Sequence, residues 1–203
     1  NLAKLGRPID RSEWNMTPPT VNAYYSPSMN EIVFPAGILQ PPFFDPKADD
    51  AVNYGGIGCV IGHEMSHGFD DSGSQYDAEG NLKNWWTAED RKAYEARTSL
   101  MVKQYDGYEA LPGERLNGRL TLGENIGDLG GIKIALAGLQ RAQEKAGKAA
   151  PIDGFSAEQR FFLNWAQVWR NNIRDEELRR RVNTDPHSPG RFRVLGPLAD
   201  LPE

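Results

Sequence analysis

The sequence predicts an α+β domain that is mainly α-helical and carries a small β-sheet. Several long stretches place apolar residues at helical spacing, and two short β-prone runs flank one turn signal. With 203 residues and 39 % hydrophobic composition, the chain can also bury a sizeable core. Charge and apolar patterning narrow the function classes. The 23 basic and 28 acidic residues leave a net charge of −5 with no dense basic block, so no nucleic-acid partner is expected. The longest apolar stretches, Ile57 to Ile61 and Ile132 to Leu139, fall far short of a membrane span, and a soluble segment with no membrane contact is expected. No charged-then-apolar leader opens the sequence. Cys59 is the single cysteine, which excludes an internal disulfide and a cysteine metal cluster and leaves His, Asp and Glu as candidate ligands.

Residues 1–20 mix Pro, Gly and charge without periodicity and read as a connecting segment. Val21 to Tyr25 and Glu31 to Phe34 suit the short strands of a hairpin, because the Pro and Asn of SPSMN between them suit a turn. The three prolines of PAGILQPPFFD exclude helix and suggest an apolar loop pressed against a core. From Asp49 to His67 the pattern is helical, with Ile57, Val60, Ile61 and Met65 marking a buried face and Gly68 a stop. Gly55, Gly56, Gly58 and Gly62 each cost about 1 kcal/mol against Ala in a helix, so close approach of a neighbour is the expected gain. DDSGSQYDAEGN is loop. Thr87 opens an amphipathic helix to about Tyr105, and a Gly- and Pro-containing connection follows. A third helix runs from Glu124 to about Glu144, its apolar side formed by Ile126, Leu129, Ile132, Leu136 and Leu139. After a surface loop from Lys145 to Asp153, Ser156 and Gln159 form a capping box ahead of FFLNWAQVW. Glu176 to Val182 is a short charged helix, and the tail from Asn183 reads as Pro-rich and irregular.

His63-Glu64-Met65-Ser66-His67 is an HExxH motif on a predicted helix. Residues four apart lie one above the other, so two imidazoles can reach one ion while Glu64 is rotated aside toward an attacking water. With three histidines in the sequence, a chance HExxH has an expected count of roughly 0.003. Catalytic zinc takes a third protein ligand. Extension to HExxHxxGxxH fails, because Asp70 and Gly73 stand where the glycine and third histidine belong. A carboxylate on a second helix is the remaining source, and GENIGD supplies Glu124 and Asp128 four apart on one face. Glu124 can ligate while Asp128 accepts the other ring N–H of a histidine. Thr121-x-x-Glu124 is equally a capping-box pattern, so the spacing alone leaves Glu124 open as a mere cap.

The strings VNAYYSPSMNEIVFPAGILQPPFFD, GHEMSHGFDDSGSQYDAEGN, GENIGDLGG, FFLNWAQVW and TDPHSPGRFRVLG occur in this order. Together they resemble the neprilysin family of zinc metallopeptidases, also called the M13 or endothelin-converting-enzyme-like family, within the gluzincins. The resemblance covers nearly the whole chain from Val21 onward. It implies a thermolysin-like catalytic domain over 21–203 and a zinc-dependent endopeptidase with one Zn2+ ion. His63, His67 and Glu124 would be the zinc ligands, Asp128 the carboxylate that orients a histidine, and Glu64 the general base. Asn22 and the Ala23 backbone would bind the main chain of a peptide substrate added along a strand edge. His187 would stabilise the oxyanion with support from Asp185, and Arg193 would hold a substrate carbonyl or carboxylate on the leaving-group side. Ile38, Phe43, Cys59, Val60 and Trp169 would surround a pocket for a large apolar residue after the scissile bond.

Members of that family are longer. The resemblance therefore implies an N-terminal helical domain as a partner, in the same protein or as a companion chain, and a sequence that stops at Pro202-Glu203, short of the family's terminal motif. Family members of animals carry several cysteines, so the single Cys59 suits a bacterial relative, and an extracytoplasmic location is expected. Asn15-Met16-Thr17 is a formal glycosylation sequon, with Pro18 directly after it. The alternative to an enzyme is a zinc-stabilised peptide-binding fragment without independent turnover, against which Glu64 argues.

Overall fold

Asp49 opens the first helical run. Its carboxylate accepts the backbone N–H of Ala51 at 3.1 Å and pairs with Arg160 at 3.1 Å. In the computed structural model, which describes residues 2–201, the run proceeds as α1 (Asp50–Asn53), a π turn (Tyr54–Gly58) and α2 (Cys59–Ser66), then tightens into a 3-10 turn at His67–Phe69. Asn1, Pro202 and Glu203, the outer ends of the expected connecting segment and domain, lie outside the described residues. Next come α3 (Ala88–Asp106), capped by Thr87, and the long α4 (Leu122–Ala146), which packs along α2.

Glycine sets that packing distance. A Cβ on Gly62 would fall 2.8 Å from Gly131 Cα, and one on Gly131 would fall 2.5 Å from the Cys59 carbonyl oxygen. The close approach expected from the glycine content is therefore present at Gly62, and at Gly55 and Gly56 against the backbones of Phe161 and Phe43, but not at Gly58. The predicted buried face needs correction. Ile57 and Val60 are buried, but Ile61 and Met65 are 39 % and 48 % exposed. Beyond Val60 the inward face is formed by Gly62, His63, Glu64 and Ser66, which are small or polar and invisible to an apolar pattern. On α4, likewise, Ile126 and Leu129 are half-buried while Asn125, Asp128 and Gly131 turn inward with Ile132 and Leu139.

Three apolar clusters support this pair. Cys59, Ile132, Ala135 and Leu139 pack against Phe161 and Trp165 of α5 (Ala157–Val168), whose start carries the complete Ser156–Gln159 capping box. Ala23, Ile38, Ile57 and Val60 form the second, with Phe34, Phe43 and Phe44 against them. It lies beneath the predicted hairpin, observed as β1 (Tyr24–Ser26) and β2 (Glu31–Val33), antiparallel with Tyr25 opposite Ile32. The proline-rich stretch after it is a loop with one 3-10 turn at Ala36–Ile38, which the prolines were expected to exclude; Pro35 takes the N-cap position, where no N–H is needed. The third cluster joins Tyr105 and Leu116 to Val182 of α6 (Asp175–Thr184) and to Phe192.

Two elements were not anticipated. The connection after α3 holds a two-stranded hairpin, β3 (Glu109–Leu111) and β4 (Glu114–Arg115), turned at Pro112-Gly113 with Gly113 at φ 78°. The tail expected to be irregular contains α7 (Gly190–Ala199), with Pro197 inside it. Proline cannot donate to the carbonyl four residues back, which is Arg193 O. That oxygen accepts instead from the Trp165 indole N–H at 3.0 Å, so the helix keeps its polar groups paired across the break.

Glycine substitutions on one helix separate close approach from simple flexibility. Gly62→Ala should destabilise the fold by about 1–3 kcal/mol through forced separation of α2 and α4. Gly58→Ala, whose Cβ would meet its neighbours at ordinary distances of 3.5 Å and more, should be neutral or stabilising by up to about 1 kcal/mol. Urea unfolding of both variants checks this, and equal losses would refute the packing argument.

Candidate metal centre

On α2, His63 and His67 stack one turn apart, their rings edge to face with centroids 4.5 Å apart. Glu124, in the first turn of α4, reaches both. Its Oε2 lies 3.2 Å from His63 Nε2 and its Oε1 lies 3.8 Å from His67 Nε2. The cap reading of Glu124 does not hold, because Thr121 makes no side-chain cap bond and its hydroxyl donates to Asn117 O. One ligand atom from each of His63, His67 and Glu124 fits within a 4.8 Å span, so the three can share one ion.

Each imidazole is held from behind. His63 Nδ1–H donates to Asp128 Oδ1 at 2.9 Å, and His67 Nδ1–H donates to Asp70 Oδ2 at 2.7 Å. Both Nε2 atoms are thereby left with their lone pairs toward Glu124. Glu124 Oε2 also lies 3.2 Å from His187 Nε2, yet neither imidazole meets it with hydrogen-bond geometry, and it remains a buried oxygen without a hydrogen-bond partner. Two imidazoles and a carboxylate that keeps one buried oxygen unpartnered fit a divalent cation of the zinc type.

Asp128 is fully buried and serves two partners. Arg193 clamps it with Nε to Oδ2 at 2.8 Å and Nη2 to Oδ1 at 2.6 Å, while the guanidinium lies 3.7 Å from the centre of the Trp169 ring. These contacts explain the charge states. Burial opposes ionisation of Asp128, but Arg193 and His63 hold its carboxyl below the usual range. Burial likewise disfavours a charged His63, yet the bond to Asp128 and the nearby Glu124 carboxylate lift it to about 9, and a cation at Nε2 would displace that proton. Glu64 is pushed up by burial, an effect that His63 and His67 partly offset. For Glu124, burial is outweighed by His187 and His63, which hold it far below an ordinary carboxyl.

A cavity of about 650 Å³ opens over the cluster. His63, Glu64, His67, Glu124, His187 and Arg193 line it together with Asn22, Ala23, Ile38, Phe43, Val60 and Trp169. Asn22 and Ala23 directly precede β1, which has one strand partner and one free edge among the described residues. Asp128 stands behind His63 rather than in the cavity. Cys59, expected at the pocket, does not line it: the residue is fully buried in the α2–α4 core, where burial pushes its thiol well up. His187 Nδ1 bonds Asp185 Oδ1 at 2.8 Å. Asp70 was missed as a partner of His67. It was weighed only as a failed glycine position, although its three-residue spacing from His67 on a tightening helix was an available signal.

An HExxH helix crossed by a second helix that brings a carboxylate to the two histidines defines the thermolysin-like zinc peptidase class. The sequence profile described as Peptidase family M13 matches residues 22–203, and the chain belongs to this family. It is 47 % identical over its whole length to the endothelin-converting enzyme homolog of Locusta migratoria and 49 % identical over 98 % of its length to endothelin-converting enzyme 1 of Rattus norvegicus. It spans 28 % and 26 % of those two proteins. Among solved structures, zinc metalloprotease Zmp1 of Mycobacterium tuberculosis in complex with an inhibitor matches 97 % of this chain at 56 % identity and a TM-score of 0.92, over 31 % of its own length. No helix among the described residues is long and apolar enough to cross a membrane.

The anchoring of His67 predicts a metal phenotype for a residue outside HExxH. Asp70→Ala should weaken zinc binding about 10- to 100-fold, as loss of a carboxylate behind a metal-facing histidine does. Competition with a chromogenic chelator measures it. Unchanged affinity would reduce Asp70 to its other contacts, the backbone N–H groups of Ser72 and Gly73, which it accepts at 2.7 and 2.6 Å.

Proposed function

We propose that this chain is the catalytic region of a zinc-dependent endopeptidase that hydrolyses oligopeptides, with one zinc ion held by His63, His67 and Glu124. The observation that carries the reading is Glu124 facing both Nε2 atoms with a buried, unpartnered oxygen. Relatives named as endothelin-converting enzymes and as a zinc metalloprotease support it. Zinc, when bound, supplies a Lewis acid and lowers the pKa of a water toward about 7.

The remaining chemistry belongs to the protein. Glu64 takes the proton of the attacking water and passes it to the leaving amine, and its raised pKa makes it the stronger base. His187, pulled up by its contact with Glu124, donates to the carbonyl oxygen as negative charge builds there. Asp128 keeps His63 in one tautomer and orientation. Asn22 and the Ala23 backbone hold the substrate main chain along the free edge of β1. Ile38, Phe43, Val60 and Trp169 enclose a large apolar side chain after the scissile bond. Arg193 has Nε and Nη2 committed to Asp128, which leaves Nη1 for a substrate carbonyl or carboxylate.

In this reading residues 1–20 are a connecting segment and 21–203 the catalytic domain. A helical domain N-terminal to it closes over the cavity, in the same protein or as a companion chain, and the enzyme works outside the cytoplasm.

Two substitutions test the assignment. Glu124→Ala should lose most bound zinc by metal analysis, whereas a capping role alone predicts about 1 kcal/mol of stability and no metal loss. Glu64→Gln should fold and keep its zinc while peptide hydrolysis falls at least about 10²–10⁴-fold, because an amide cannot accept the proton. Wild-type turnover in zinc-replete Glu64→Gln would end the mechanism.

A further inference from the structure

Three residues in the first turns of α4 each reach the tail. Glu124 Oε2 is 3.2 Å from His187 Nε2, Asp128 is clamped by Arg193, and Asn125 Oδ1 accepts the Ser188 hydroxyl at 2.8 Å. The Asn125 amide then donates to Thr121 Oγ1 at 2.9 Å, whose own hydroxyl donates to Asn117 O at 3.1 Å. Asn125 is 0 % exposed, and Thr121 and Ser188 are each 3 % exposed. None of the three lines the cavity over the metal centre. Asparagine is a weak helix former, and a buried amide is costly unless it is bonded, so an apolar pair would fill this space with less demand. What the polar pair adds is direction: it accepts one register of loop against helix, where an apolar contact permits sliding.

We infer that the hydrogen-bonded row Thr121–Asn125–Ser188 is a positioning device that holds the His187 loop in register with Glu124. His187 cannot hold itself there. Its backbone N–H and Nδ1 both bond Asp185 Oδ1, at 2.9 and 2.8 Å, which orients the ring within its loop without tying the loop to α4. Its side chain is 46 % exposed, and on α4 its Nε2 faces an oxygen of Glu124 that the proposed zinc would also engage. Ser188, the next residue, supplies the independent tie. Asn125 and Ser188 are thus positioning residues that act through His187. The kinetic consequence rests on the peptidase reading, and the structural consequence does not.

The experiment compares Ser188→Ala with wild type in the zinc-loaded protein complete with its N-terminal helical domain, alone and in a His187→Ala background. Ser188→Ala should lower kcat on the order of 10- to 100-fold with KM and zinc affinity unchanged, and should have no further effect once His187 is gone. In ¹⁵N NMR, the His187 ring resonances should move while those of His63 and His67 stay in place. Asn125→Leu, which replaces the amide with an apolar group of similar size, should reproduce the pattern from the helix side. Equal kinetic losses in both backgrounds, unmoved His187 resonances, or a parallel fall in zinc affinity would overturn the inference. A wild-type protein that binds zinc and cleaves no peptide would overturn the peptidase reading instead, and the His187 resonances alone would then decide the positioning role.

Discussion

The contact between Gly62 of α2 and Gly131 of α4 is the constraint on which the site depends. Backbones that approach this closely leave no room for Cβ atoms, and they set where the first turn of α4 lies relative to the last turn of α2. Gly127 continues the requirement, since a Cβ there would come within 2.7 Å of the His63 ring. A wider separation would carry Glu124 away from one or both imidazoles, and no side-chain rotamer could restore two contacts at once. The helix propensity lost at these glycines, about 1 kcal/mol each, is offset by burial of Cys59, Ile132, Ala135 and Leu139 along the same interface.

Close packing brings polar groups into the interior, and the structure satisfies them in series. Asp128 would be prohibitive as an isolated buried carboxylate, but it receives His63 on one side and two guanidinium N–H groups of Arg193 on the other. Arg193 would be equally costly alone. Its charge is met by Asp128, and its flat face lies on Trp169. The order of these pairings gives them a chemical consequence. The Nδ1 atoms of His63 and His67, which face away from the cavity, are both bonded, so His63 Nε2, His67 Nε2 and Glu124 Oε2 are left facing one another. A set of that kind cannot be completed by the protein itself, which is why it reads as a cation site.

What the sequence disclosed follows the range of the interactions concerned. HExxH and the Ser156–Gln159 cap were legible because their members lie within four residues, where helix geometry alone fixes who meets whom, whereas Glu124, whose partners lie about 60 residues away, stayed open between ligand and cap until the family resemblance was used. Ile61 and Met65 were misplaced because an apolar pattern assumes that the inward face is apolar, whereas here it is glycine and site residues. α7 was hidden by Pro197, since only a tertiary partner, the Trp165 indole, makes a proline tolerable there. The Asn125–Ser188 bond joins residues 63 positions apart and left no local trace. Asp70 is the exception, a near neighbour overlooked because one motif template had already given its position to glycine.

The site draws on four distant parts of the sequence, and their division of labour follows from stiffness. The groups that must converge within a few tenths of an ångström, His63, His67 and Glu124, stand on two packed helices whose separation glycine fixes. Asn22 and Ala23 stand just before a strand, where in the proposed function the backbone itself is the binding element and a free edge is what a peptide requires. In the proposed reaction His187 meets an atom that changes charge, and it stands on a loop between α6 and α7. A loop is the least precise of these supports. Its precision has to come from outside, and the tail carries it at two points: Arg193 on Asp128 one turn into α7, and Ser188 on Asn125 beside Glu124. The same first turns of α4 therefore carry the third candidate ligand, the partner of the first histidine and the anchor of the tail, so a displacement of α4 moves all three together and preserves their relation.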